Sequence, residues 1–244
     1  MRTLRAVGRL LSVVLHVFHG LAIVLLRFPG LDLAGRHERI QWWARRMLAL
    51  LGIELDVTGQ PHRGGALLVA NHVSWLDIIA VHAVCPRARF VSKADVKAWP
   101  LIGRLVDAAG TLYIERERKR DAMRVVHQTA EALQAGDMVA VFPEGTTGDG
   151  RTLLPFHANL LQAAIAAQAP VQPVALRFSD PRDRVSAAAA YIGDTTLVES
   201  LWAIAKADRL TAHIALLPAE GTRHLDRRAL AEHLRTQIGE ALEA

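Results

Sequence analysis

The 244-residue chain has a single cysteine, Cys85. No intrachain disulfide can form, which excludes a disulfide-stapled secreted scaffold and fits a reducing compartment. Cys85 sits inside an apolar stretch, where packing outweighs nucleophilic chemistry. No Gly-x-Ser-x-Gly occurs, so the usual hydrolase elbow is missing. The glycine-rich run Gly145-Thr146-Thr147-Gly148-Asp149-Gly150 has no following Gly-Lys-Ser/Thr, so it is not a nucleotide P-loop. There is no long internal repeat. The body also lacks positive charge: residues 51–244 hold 21 basic and 22 acidic residues, net −1. A nucleic-acid module needs basic residues and exposed aromatics across its folded body, and none is expected here.

The positive charge is at the N-terminus. Residues 1–50 carry eight arginines against Asp32 and Glu38. A segment both basic and apolar suits an anionic membrane surface. Residues 10–26 carry no formal charge and lie between Arg9 and Arg27. Seventeen residues is short of the ~20 that usually span a bilayer. No small-x-small cleavage site follows, so a retained, embedded or half-inserted helix is expected, ended by Pro29-Gly30. Residues 34–51 show a second helical stripe, Ile40, Trp43, Met47, Leu50 and Leu51, flanked by Arg39, Arg45 and Arg46. An interfacial helix is expected there, the alternative being a helix packed on the body with its arginines in water. Residues 1–51 are thus read as a membrane-associated helix pair, and residues 52–244 as a separate domain.

From residue 53 strands and helices alternate, the α/β signature. Apolar runs at Ala66–Ala70 and Met138–Phe142 read as buried strands. Further strands are expected at 53–57, 89–92, 110–116, 170–176 and 213–217, and helices at 78–84, 119–135, 160–169, 197–207 and from Asp226 onward. Met123, Val126, Ala130 and Leu133 are read as the inner face of the helix over 119–135. The expected architecture is a mixed, largely parallel central sheet flanked by helices, with the N-terminal helix pair against the membrane.

Polar clusters follow three of the strands: His72 with Asp77, Glu115-Arg116, and Glu144-Gly145-Thr146. Sites in α/β sheets gather beyond the carboxyl ends of strands. His72 suits a general base, with Asp77 fixing its tautomer. Five residues along a continuous helix turn the chain about 500°, so the two meet only if His72 lies in a turn and Asp77 in the first helical turn. Ser74 as N-cap with Asp77 at N3 would give that, and capping alone would equally explain Asp77. Ser74 as nucleophile, and a metal site from His72, Asp77 and His82, are weaker readings of the same stretch. Lys93, Arg116 and Arg151 could face an anion or stand in water as ordinary surface cations.

Together these pieces resemble the lysophospholipid acyltransferase family, typified by 1-acyl-glycerol-3-phosphate acyltransferase. The likeness covers about residues 50–215 through four motifs in order. They are Asn71-His72-x4-Asp77, Gly110–Arg116, Phe142-Pro143-Glu144-Gly145-Thr146, and Val171-Gln172-Pro173-Val174. The resemblance implies that His72, oriented by Asp77, deprotonates a lysophospholipid hydroxyl that attacks an acyl thioester of coenzyme A or acyl carrier protein. No other cofactor and no metal is implied. It places Asn71, Lys93, Arg116, Glu144, Gly145, Thr146, Arg151 and Pro173 around the substrate, and sets the enzyme among membrane lipids on the cytoplasmic side of the inner membrane. The third motif commonly continues Thr-Arg-Ser, its Arg serving phosphate. Here Thr147 stands in that place, and the loop through Leu154-Pro155-Phe156 is similar to acyltransferases that complete ornithine lipids. Lysophosphatidate is the expected acceptor, with a lyso-ornithine lipid as alternative. A non-catalytic membrane-binding protein on the same scaffold is the rival of another class.

Overall fold

The computed structural model describes residues 2–114, 119–223 and 226–244. Two helices open the chain: α1 (Arg2–Leu26) and, after a single 3-10 turn at Phe28–Gly30, α2 (Leu33–Leu51). Asp32 caps α2, its carboxylate accepting from Gly35 N, and Gly52 closes it at φ 75°. A left-handed residue is the usual helix terminator, and here the absence of a Cβ also matters. A side chain at residue 52 would collide with the Arg9 guanidinium, which donates to the Ala205 and Ala207 carbonyls at 3.0 Å each.

The body then alternates as expected: β1 (Ile53–Thr58), β2 (Ala66–Ala70), α3 (Leu76–Val84), β3 (Ala88–Lys93), α4 (Ile102–Ala108), β4 (Leu112–Ile114), α5 (Lys119–Gln134), β5 (Met138–Val141), α6 (Leu161–Ala167), β6 (Val171–Ser179), α7 (Leu197–Lys206), β7 (Leu210–Leu216) and α8 (Arg227–Glu243). One sheet forms in the order β1-β7-β6-β2-β5-β3-β4. Every neighbouring pair is parallel except β6 with β7. β2 and β5 are buried at every position, which is why they read as unbroken apolar runs.

Two cores lie on the two faces. On one face Met47, Leu48 and Leu51 of α2 join Leu76 and Val81 of α3 and Ile204 of α7. On the other, α5, α6 and α8 pack through Leu133, Leu161, Leu230 and Leu234. Thr196 and Glu199 form a complete capping box on α7, and Asp226 caps α8.

Three expectations change. α2 belongs to the body: Met47, Leu48 and Leu51 are all at most 3% exposed, and Arg45 and Gln41 both donate to the Ala83 carbonyl. Its stripe is a core stripe, and residues 1–51 share a core with the sheet. On α5 Ala130 and Leu133 are buried and Val126 packs against the core as expected, joined by Val125 and Thr129, but Met123 is 73% exposed. The interrupted stretch before residue 110 contains a 3-10 turn (Ala94–Ala98) and α4, whose start has Leu101 at φ 65°; α4 is only seven residues long, too short for its Ile102, Leu105 and Val106 period to stand out.

α1 keeps an outward apolar stripe. Leu4, Leu11, Leu15, Phe18 and Leu26 are each more than half exposed, at the three- and four-residue steps of one helix face. Its opposite face holds Val13, Gly20 and Leu21, and a Cβ at Gly20 would strike the Trp43 indole. The stretch Arg2–Gly30 is long and apolar enough to cross a membrane, with 22% of its apolar 18-residue window buried against the body. A helix apolar on both faces fits lipid on one side and protein on the other.

Candidate active site

β2, β5 and β3 are parallel, so their carboxyl ends open on the same edge of the sheet. His72 follows β2 by two residues, Glu144 follows β5 by three, and Lys93 ends β3. His72 and Asp77 meet, Nδ1 to Oδ2 at 2.7 Å. They do so because His72 lies in the turn before α3 and Asp77 in its first helical turn. Half of the expected capping box forms. Asp77 Oδ2 accepts from Val73 N at 2.7 Å and Ser74 N at 2.9 Å, while the Ser74 hydroxyl caps nothing. Ser74 is 0% exposed, which removes it as a nucleophile. Three donors on one carboxylate oxygen hold both the turn and the imidazole. The His72 side chain is 18% exposed and that of Asp77 0%, so the imidazole alone can meet a substrate. Its ring stacks on Phe142 with centroids 3.9 Å apart.

Glu144 braces the turn from the next strand. Oε1 accepts from His72 N at 2.7 Å and Oε2 from Leu154 N at 2.9 Å. Burial raises its pKa against the pull of those two N–H groups. Both oxygens accept a backbone N–H, so Glu144 clamps the His72 turn to the loop after β5. The loop itself folds back on the site. Gly148 N donates to the His72 carbonyl at 2.8 Å, and Tyr191 N to the Val73 carbonyl at 3.0 Å. Glu144→Gln should destabilise the protein by about 1.5–3 kcal/mol, because one of the two N–H groups then faces an amide NH2. At ~2–4 °C per kcal/mol for a chain of this size, the melting temperature should fall by several degrees. An unchanged melt would show that the clamp carries no load.

The other residues divide by burial. Asn71 is 2% exposed. It donates to the Leu176 carbonyl at 2.9 Å and accepts from Leu176 N at 2.7 Å. It fastens β2 to β6, with no amide group left for substrate. Pro173 is buried in β6 opposite Val69, and its carbonyl accepts from Leu217 N; its place is structural. Arg151 is ion-paired to Asp183 and donates to the Val185 carbonyl. Thr147, in the arginine position, donates its hydroxyl to the Tyr191 carbonyl. Lys93 and Thr146 are exposed at the site's edge. Gly145, at φ 72°, turns the chain against His157. Arg116 lies outside the described residues.

Sequence reasoning missed the aromatic wall and the cavity behind it. Phe142 stacks on Phe90 at 5.6 Å, and Phe90 meets His82 edge-on at 5.1 Å. Beyond them lies an apolar cavity of about 320 Å³, walled by α1, α2, α3, β3 and α4. It reaches within three residues of His72 at Trp75, which is tethered to Ser200 Oγ at 3.0 Å. The sequence signal was the apolar run Ile78–Val84, but which strand it faces depends on sheet order. Cys85 stays a packing residue, burial pushing its thiol up to about 11.

A second Ser-His-Asp set exists. Ser179 Oγ contacts His213 Nε2 at 2.8 Å, and His213 Nδ1 contacts Asp56 Oδ2 at 2.8 Å. These residues stand on neighbouring strands, with Asp56 opposite His213 and Ser179 opposite Thr211 in the ladder. Extended, laddered backbone around Ser179 gives no converging N–H pair for an oxyanion, and the set is a cross-strand polar ladder.

The family profile described as Acyltransferase matches residues 54–177. A lyso-ornithine lipid O-acyltransferase of Pseudomonas aeruginosa is 40% identical over 218 residues, covering 88% of this chain and 83% of that protein. A 1-acyl-sn-glycerol-3-phosphate acyltransferase of Neisseria meningitidis is 40% identical over 207 residues, covering 83% and 80%. Among solved structures, the 1-acyl-sn-glycerophosphate (LPA) acyltransferase PlsC of Thermotoga maritima superposes with a TM-score of 0.73 at 18% identity, over 99% of this chain and 96% of that one.

Proposed function

The chain belongs to the acyltransferase family and is an acyltransferase enzyme, and from that premise we propose that it moves a fatty acyl group from a thioester to the free hydroxyl of a lysolipid. The observation that carries the mechanism is the His72–Asp77 contact of 2.7 Å, with the imidazole alone exposed. Nδ1 donates to the carboxylate, so the neutral ring presents Nε2 as the base. His72 takes the hydroxyl proton as the oxygen attacks the thioester carbonyl. The C–S bond breaks, and the leaving thiolate recovers the proton from the imidazolium. Asp77 stays ionised and stabilises that imidazolium. The donor is coenzyme A or acyl carrier protein, and its acyl chain lies in the cavity behind Phe142 and Phe90.

Two acceptors follow from the relatives. Lysophosphatidate is the first. A lyso-ornithine lipid is favoured by one observation: Arg151, the nearby substitute for the missing loop arginine, is tied to Asp183. Membrane association rests on the outward stripe of α1. Arg5 and Arg9 hold the start of α1 to Asp208 and to the end of α7, which supports a helix lying in one leaflet against the body; the proposed orientation has the site facing the cytoplasm. The test is release of free thiol with coenzyme A and carrier-protein thioesters against both lyso-acceptors. Thiol release that needs one of these acceptors supports the reading. Thiol release without acceptor, or none with any pair, overturns it.

A further inference from the structure

We propose that His82, with Ser92 and Thr111, forms a polar spot inside the acyl cavity that selects a donor chain carrying a hydroxyl partway along its length. The inference rests on the reading that the cavity holds the donor's acyl chain. His82 is 7% exposed, its Nδ1 has no hydrogen-bond partner, and it lines the cavity. A buried imidazole nitrogen left unpaired is costly unless a bound group completes the ring's hydrogen bonding.

Its surroundings concentrate the polarity. His82 stands edge-on to Phe90. Ser92 is two residues further along the same strand, hence on the same face of the sheet. Thr111 precedes Leu112, the ladder partner of Val91, and so lies beside Phe90 across the β3–β4 pair. Ser92 and Thr111 both line the cavity. Most of the rest of the wall is apolar.

Burial pushes the His82 pKa down to about 4, with the nearby His37 adding to the effect. The ring is therefore neutral near pH 7, one nitrogen donating and the other accepting. A hydroxyl satisfies either nitrogen, whereas a methylene satisfies neither. The position along the chain follows from α3. His82 is seven residues past Trp75, about 10 Å along the helix axis, so the spot faces the middle of a bound chain and leaves the thioester end to His72.

The experiment uses the full-length protein and coenzyme A thioesters of one chain length, unsubstituted or with the hydroxyl moved stepwise along the chain. At one position the wild-type kcat/KM for the hydroxylated chain should equal or exceed that for the plain chain. In His82→Phe, which keeps an aromatic ring on Phe90, the hydroxylated-to-plain ratio of kcat/KM should fall by about tenfold or more, whatever happens to the absolute turnover of either chain. Ser92→Ala should lower the same ratio by a smaller factor, and serves if His82→Phe melts early. Equal ratios in wild type and both variants, with plain chains transferred by the wild type, overturn the polar spot and leave the acyl-transfer reading standing. Loss of transfer for every thioester and acceptor in the wild type overturns that reading, and this inference with it.

Discussion

His72→Ala should lower acyl transfer by roughly 10²–10⁴-fold, the contribution of a positioned general base, and leave the fold in place. The fold is expected to survive because the turn is held from elsewhere. Asp77 binds Val73 N and Ser74 N, and Glu144 binds the backbone of residue 72, which alanine retains. The side chain itself contributes only its stack on Phe142 and one bond to Asp77. Steady-state kinetics with a melting curve on the same sample decides the matter. Turnover within a few-fold of wild type would remove His72 as the base. Asp77→Asn tests the orienter and should differ in kind. It weakens three bonds at once, so it should lose both activity and stability.

Deleting residues 1–50 should cost the protein its fold. The segment carries Val13, Phe28, Met47 and Leu48, each buried to 8% exposure or less. At about 1.5–3 kcal/mol for each such side chain, the loss is roughly 6–12 kcal/mol, within the ~5–15 kcal/mol that holds a domain together. The truncated chain should lack a cooperative melt and aggregate. A soluble, cooperatively melting body would overturn the integral role given to α2. Membrane binding is separable from folding by surface changes alone. Leu11→Gln, Leu15→Gln and Phe18→Gln together alter side chains that are all more than half exposed. They should release the full-length protein from vesicles without shifting its melt.

The two predictions mark where sequence reading succeeds and where it stops. His72 and Asp77 were readable because their meeting is local, decided by one turn and one helical start. β2 and β5 were readable because strands buried on both faces need no alternation. Asn71 was misplaced because its partner, Leu176, is 105 residues away, and nothing nearby in sequence reports that a polar side chain is already satisfied. α2 was assigned to the membrane because an apolar stripe with flanking arginines looks the same against lipid as against a core. Only the partner differs, and Ala83 and Leu76 supply it through contacts made after folding. The cavity wall was invisible for a related reason. Phe90, Phe142 and His82 come together because β5 sits between β2 and β3, an order the linear chain does not state.

That strand order also fixes a timetable. β1 ends at residue 58 and, among the described residues, pairs only with β7, which begins at residue 210. At a synthesis rate of about 5–20 residues per second, the ribosome needs about 8–30 s to make the chain between them. Throughout that interval β1 has no partner strand, and Arg9 has neither Ala205 nor Ala207 to hold. The outward stripe of α1 is already made. A lipid surface is the partner open to it first, so the nascent chain can reach the bilayer before its sheet can close.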